Sequence, residues 1–215
     1  MEEFIIAMEL LGTIAFAISG AMEAIKKNMD ILGVVILGIT TAVGGGVIRD
    51  INLGNTPPQA FKHPTYALVA LVTSLIVFLF LYVYKNNANP NLKIWYEKSL
   101  ILYDALGLGF FTTVGISVAE PVVGIDNWFL CVFVGVITGV GGGVLRDILA
   151  DSTPYILVKH VYACASIIGA ITCVCLWDIL GKSPAMLIGT IVVIVIRLLA
   201  AYYKWNLPKI NKNIH

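Results

Sequence analysis

Long apolar runs alternate with short polar breaks along the whole chain. Seven runs stand out, over Phe4–Ile25, Ile31–Ile48, Thr65–Tyr84, Ser99–Val118, Trp128–Leu145, Val161–Leu180 and Pro184–Tyr203. About 20 consecutive apolar residues cross a bilayer as one helix. A backbone with no water to bond must satisfy itself inside each segment. The pattern therefore predicts seven spanning helices. The breaks carry turn chemistry, as in Lys26-Lys27-Asn28, Thr56-Pro57-Pro58, Glu120-Pro121, Thr153-Pro154 and Lys182-Ser183-Pro184.

Composition narrows the class. Of 215 residues, 59% are hydrophobic and 13% charged, with mean hydropathy +0.90 and net charge +1. A soluble domain carries about 25% charged residues, and a nucleic-acid binder needs a basic face. Both are excluded, leaving an all-α polytopic membrane protein with membrane lipids as its surroundings and no nucleic-acid partner. The four cysteines lie in apolar runs, with neither zinc nor disulfide spacing. Glu2 and Glu3 precede the first run where a signal peptide would be basic, so that run is expected to be a retained helix.

Sorting the charges by alternate loops gives an orientation. Lys26, Lys27, Lys85, Lys93, Lys98, Arg146, Lys159, Arg197, Lys204, Lys209 and Lys212 fall on one side, and Arg49, Lys62 and Lys182 on the other. The richer side is expected in the cytoplasm. The N-terminus would then lie outside a cell (inner) membrane and the C-terminus in the cytoplasm.

The chain also repeats itself. Gly38–Ile51 returns as Gly135–Ile148 at an offset of 97 residues, Thr56-Pro57 returns as Thr153-Pro154, and Glu23 as Glu120. Each unit holds three spans, an odd number, so the second enters the membrane inverted. The expected organisation is one membrane domain over 1–215, with repeat one at about 4–84, repeat two at about 99–180 and an extra helix at about 184–204.

The repeated core is a glycine triplet followed by an Arg-Asp pair: Gly44, Gly45, Gly46, then Arg49 and Asp50; Gly141, Gly142, Gly143, then Arg146 and Asp147. Three glycines invite a kink or an unwound turn, and carbonyls freed by such a break suit a cation. Small residues four apart, Gly38, Ala42 and Gly46 with Gly135, Gly139 and Gly143, equally suit a tight helix crossing. Two triplets, each followed by charges, favour a functional break.

Charges so close to apolar runs are costly unless paired or hydrated. Each Arg could pair with its Asp, bind a lipid phosphate or snorkel to the interface. Structural or gating roles are expected rather than direct ion ligation. Thr41 and Thr138, one turn before the triplets, could offer hydroxyls to an ion or bond their own i−4 carbonyls. Ser19 and Ser117 are weaker candidates of that kind. Glu23 and Glu120 could form acidic vestibules or be solvated loop charges. Asp104 has no repeat partner at this offset and could face a cavity or pair with a basic residue. His63 and His160 would lie on opposite membrane faces, which rules out a shared metal. No metal site, cofactor or enzymatic motif is expected.

Seven spans as 3+3+1, the duplicated GGGVIRD of Gly44–Asp50 and GGGVLRD of Gly141–Asp147, and the Thr-Pro after each resemble the prokaryotic trimeric intracellular cation (TRIC) channel family. The resemblance runs from Leu11 to about Tyr203. It implies a homotrimer with one pore per protomer, permeable to monovalent cations such as K+ or Na+. It also implies kinks at the glycines of the second and fifth spans, with a pore lined by Thr41, Gly44, Gly45, Thr138, Gly141 and Gly142. A short chain fits a prokaryotic plasma membrane. Some bacterial members of the wider family carry the name of glycine transporters, so an alternating-access carrier of a small amino acid such as glycine is the alternative. A membrane scaffold is a third.

Overall fold

The computed structural model describes residues 2–84, 92–158 and 161–205. Lys85, Lys159, His160, Lys209 and Lys212 lie outside the described residues. The regular structure of the described residues is all helix: α1 (Glu2–Lys26), α2 (Ile31–Asn52), α3 (Gln59–Lys62), α4 (Thr65–Tyr84), α5 (Leu92–Val123), α6 (Trp128–Leu149), α7 (Tyr155–Val158), α8 (Tyr162–Leu180) and α9 (Lys182–Tyr202). Seven of these, all but the single-turn α3 and α7, are long and apolar enough to cross a membrane.

The repeat is visible in how the helices begin and end. Asp30 caps α2 by accepting from the Gly33 N–H at 2.8 Å, and its counterpart Asn127 caps α6 by accepting from Leu130. An Asp or Asn side chain here satisfies a donor that has no intrahelical partner. At the far ends, the Leu53 N–H returns to the Arg49 carbonyl and the Ala150 N–H to the Arg146 carbonyl.

The repeat offset is not constant. It is 97 residues between α2 and α6, but 95 between α1 and α5, where Gly12, Phe16 and Gly20 answer to Gly107, Phe111 and Gly115. Glu23 and Glu120 are therefore not counterparts, correcting the uniform register read from the motif. The Gly-x3-Phe-x3-Gly pattern that carries the 95-residue offset is itself present in the sequence.

Both glycine-bearing helices run through their triplets without interruption, which corrects the expected break. The glycines serve a crossing instead. A Cβ at Gly45 would stand 2.1 Å from the Thr138 carbonyl oxygen, and one at Gly142 would stand 2.1 Å from the Thr41 carbonyl oxygen. Thr41 and Thr138 are counterparts, as are Gly45 and Gly142, so α2 and α6 meet about a pseudo-two-fold axis. In lipid, helices gain little from burying apolar surface against each other, and close backbone approach supplies the packing energy. Phe16 and Phe111, also counterparts, stack close by with centroids 5.3 Å apart and planes at 27°.

The seventh span breaks the symmetry. Gly181, at φ +84°, links α8 to α9 in one residue. α9 packs on α8 through Gly169 and Gly189, where either Cβ would stand within about 3 Å of the other's carbonyl oxygen. It also reaches α5, where the Thr113 and Thr190 hydroxyls share a hydrogen bond of 2.8 Å. Among the described residues no equivalent helix covers α1 and α4.

Candidate functional site

Two charge clusters lie at opposite ends of the α2–α6 crossing, built from matching residues. In the second repeat, Arg146 donates from Nε to Asp147 Oδ1 at 2.9 Å and from Nη1 to Asp104 Oδ1 at 2.7 Å and Ser19 Oγ at 2.5 Å. The other Asp147 oxygen accepts from the Tyr155 N–H at 2.8 Å, which ties the α6 end to the start of α7. Arg197 from α9 donates to Asp104 Oδ2 at 3.4 Å and lies over the Tyr162 ring at 4.6 Å. Tyr162 donates to Asp104 Oδ1 at 3.4 Å, and the Arg146 guanidinium lies 5.1 Å from the Tyr155 ring centre. Arg146 and Asp104 have no solvent exposure. Burial, reinforced by Glu23 and the two aspartates, raises the Tyr155 phenol above its ordinary range.

The first repeat holds the same parts more loosely. Arg49 donates from Nε to Asp50 Oδ1 at 2.8 Å, and Asp50 Oδ2 accepts from the Gln59 N–H at 2.8 Å. Glu9 takes the place of Asp104, but its nearest approach to Arg49 is 4.0 Å. Tyr66, the counterpart of Tyr162, donates to Glu9. A cavity of about 520 Å3 opens here, lined by residues that include Glu9, Thr13, Arg49, His63, Tyr66 and Phe111. The second repeat fills this space with Arg197, Tyr155 and Ser19.

The Arg-Asp pairs are thus buried and mutually bonded, as the pairing alternative held. Arg49, Arg146 and Arg197 are not loop charges, so the comparison of loop charges becomes nine against two. Asp104 has a counterpart after all. It is Glu9, hidden from the sequence reading by the 95-residue offset.

Among the other residues singled out, Thr41 and Thr138 are buried and donate to the i−4 carbonyls of Leu37 and Val134 at 2.6 Å. Gly44, Gly45, Gly141 and Gly142 are buried at the crossing, Gly143 is buried against Tyr162 beside Asp104, and Gly46 lines the cavity. Ser19 joins the Arg146 cluster, and Ser117 donates to the Val114 carbonyl. Glu23 is 2% exposed and paired with Lys26, and Glu120 with Lys182, so neither lines the cavity. The neighbouring lysines reach both carboxylates. His63 is exposed at the cavity. Among the described residues no group of three or more His, Cys, Asp and Glu side chains could hold a metal.

Paired ionic clusters at both ends of an inverted-repeat crossing mark a polytopic membrane protein of the inverted-repeat class. The model of a family described as "Glycine transporter" matches the chain twice, over residues 6–82 and 101–178. The UPF0126 inner membrane protein YadS of Escherichia coli is 39% identical over 94% of this chain and 93% of its own length. The UPF0126 membrane protein YvgT of Bacillus subtilis is 35% identical over 94% of both chains. Among solved structures, a TRIC cation channel aligns with TM-score 0.81 and 38% identity, covering 97% of this chain and 98% of that one. The TRIC channel orthologue from Rhodobacter sphaeroides aligns with TM-score 0.83 and 30% identity, covering 94% of this chain and 98% of its own. The chain belongs to the UPF0126 membrane proteins, the bacterial TRIC family.

Proposed function

We propose that the protein is a passive channel for monovalent cations, K+ among them, with one pore in each protomer of a homotrimer. The observation that carries this reading is the pseudo-symmetric α2–α6 crossing with a neutralised arginine at each end. A bare arginine on a cation path would repel the ion, and Asp50 and Asp147 remove that barrier. Likeness to TRIC cation channels over nearly the whole chain supports it further.

In this reading the path runs between the repeats past Thr41, Gly44, Gly45 and Gly46 and past Thr138, Gly141, Gly142 and Gly143. In this reading the arrangement is a closed one. The Phe16–Phe111 stack and the glycine contact occupy the centre, and the Asp104 carboxylate, held by Arg146 and Arg197, closes one end. Opening requires α6 to release that cluster and bend at its glycines. In this reading the C-terminus lies in the cytoplasm and the N-terminus outside an inner membrane, supported by the excess of loop lysines on one side.

Purified protein in planar bilayers tests the reading. Unitary current steps with a K+-selective reversal potential support it. A second reading, alternating-access transport of glycine, is favoured by the family description and by the cavity beside the first-repeat charge cluster. Saturable glycine counterflow without unitary current would establish the carrier and refute the channel.

A further inference from the structure

The α2–α6 crossing relates two halves whose charges do not balance equally. In the second repeat Asp104 and Asp147 face Arg146 and Arg197, so two negative charges meet two positive ones. In the first repeat, among the described residues, Glu9 and Asp50 share the Arg49 guanidinium. Asp50 takes the larger part of it: Arg49 bonds Asp50 at 2.8 Å and approaches Glu9 only to 4.0 Å. With Asp50 further bound to the Gln59 N–H, Glu9 carries the under-compensated charge. Its side chain is 18% exposed, against none for Asp104, and it borders the 520 Å3 cavity. A carboxylate in such surroundings is stabilised by hydration or by a cation that comes to it.

The cavity selects the kind of cation. Its volume is within the roughly 300–1,000 Å3 of sites that take organic ligands, too roomy for a bare metal ion, and of its two carboxylates Asp50 is already taken by Arg49. Its walls are largely apolar, from Ile6, Leu10, Val43 and Val118, with Tyr66 and Phe111 adding aromatic rings. Aromatic faces attract alkylated ammonium groups, which lose little hydration on leaving water. We propose that this cavity is a binding site for a small organic ammonium cation, with Glu9 as counter-charge and Tyr66, which donates to Glu9, holding that carboxylate in place. The site belongs to the face bearing the α1 N-terminus; its counterpart on the other face is filled. Binding is independent of the channel reading, and only the one-sided block that follows from it rests on that reading.

Tetramethylammonium is the probe. Saturation-transfer NMR with the purified full-length protein should show saturable binding to the wild type. Glu9→Gln should weaken it by about tenfold or more, while Glu9→Asp, which keeps the charge, should retain it. In bilayers the same cation should block current from the α1 N-terminal face and not from the other. Binding that depends on Glu9 in a protein without current leaves the site standing and refutes the channel instead. Absence of saturable binding by the wild type, equal binding by folded Glu9→Gln, tighter binding of glycine, or equal block from both faces of a conducting wild type would overturn the proposal.

Discussion

The sharpest structural prediction concerns one methyl group at the helix crossing. In Gly45→Ala the new Cβ would stand 2.1 Å from the Thr138 carbonyl oxygen, where real contacts essentially never fall below 3.0 Å. The obstacle is backbone, so no rotamer change relieves it, and α2 and α6 must separate by close to 1 Å. Overpacking of this kind costs typically about 1–3 kcal/mol. Alanine recovers up to about 1 kcal/mol of helix propensity. A net loss of about 1–2 kcal/mol is expected, and by the pseudo-symmetry the same loss for Gly142→Ala. Gly46→Ala is the internal control, because its Cβ would meet only the Arg49 guanidinium at 3.7 Å, an ordinary contact. Unfolding of the purified protein in detergent, followed by circular dichroism, measures all three. A Gly45→Ala variant as stable as Gly46→Ala would refute the close-crossing account and return the triplets to a hinge role alone.

Asp104→Asn should be the most destabilising change among the charges, by about 3–5 kcal/mol in detergent unfolding, because it strips the shared carboxylate from two buried guanidinium groups; Glu9→Gln should cost much less. Arg146→Ala and Asp147→Ala should each be costly while the double variant costs less than their sum, since removing both leaves no unpaired charge; additive losses would contradict mutual neutralisation. Phe16→Leu, which shortens the ring stacked on Phe111, should raise single-channel open probability in bilayers; an unchanged value would remove the stack from the closed path.

The apolar periodicity was enough to read the seven spans, and the duplicated Gly-Gly-Gly-x-x-Arg-Asp was enough to read the inverted repeat. Both are local: a bilayer demands a fixed run of apolar residues, and a repeat is a property of the string. The site was legible only in part. Arg49, Asp50, Arg146 and Asp147 announced themselves because charges near a span end stand out. Glu9 and Phe16 did not, because the register between α1 and α5 differs by two residues from that between α2 and α6. Nor could composition decide whether a glycine triplet breaks a helix or lets two helices touch. That depends on whether another backbone lies within reach.

Membrane class, spans, repeat and the charged residues of the motif were thus all legible in the string. The tertiary structure decided which partner each charge takes. It also decided that the glycines are a crossing rather than a break, and that the two ends differ. The reason for the last is α9: a helix outside the repeat inserts Arg197 beside Asp104, while none of the described residues fills the matching space beside Glu9.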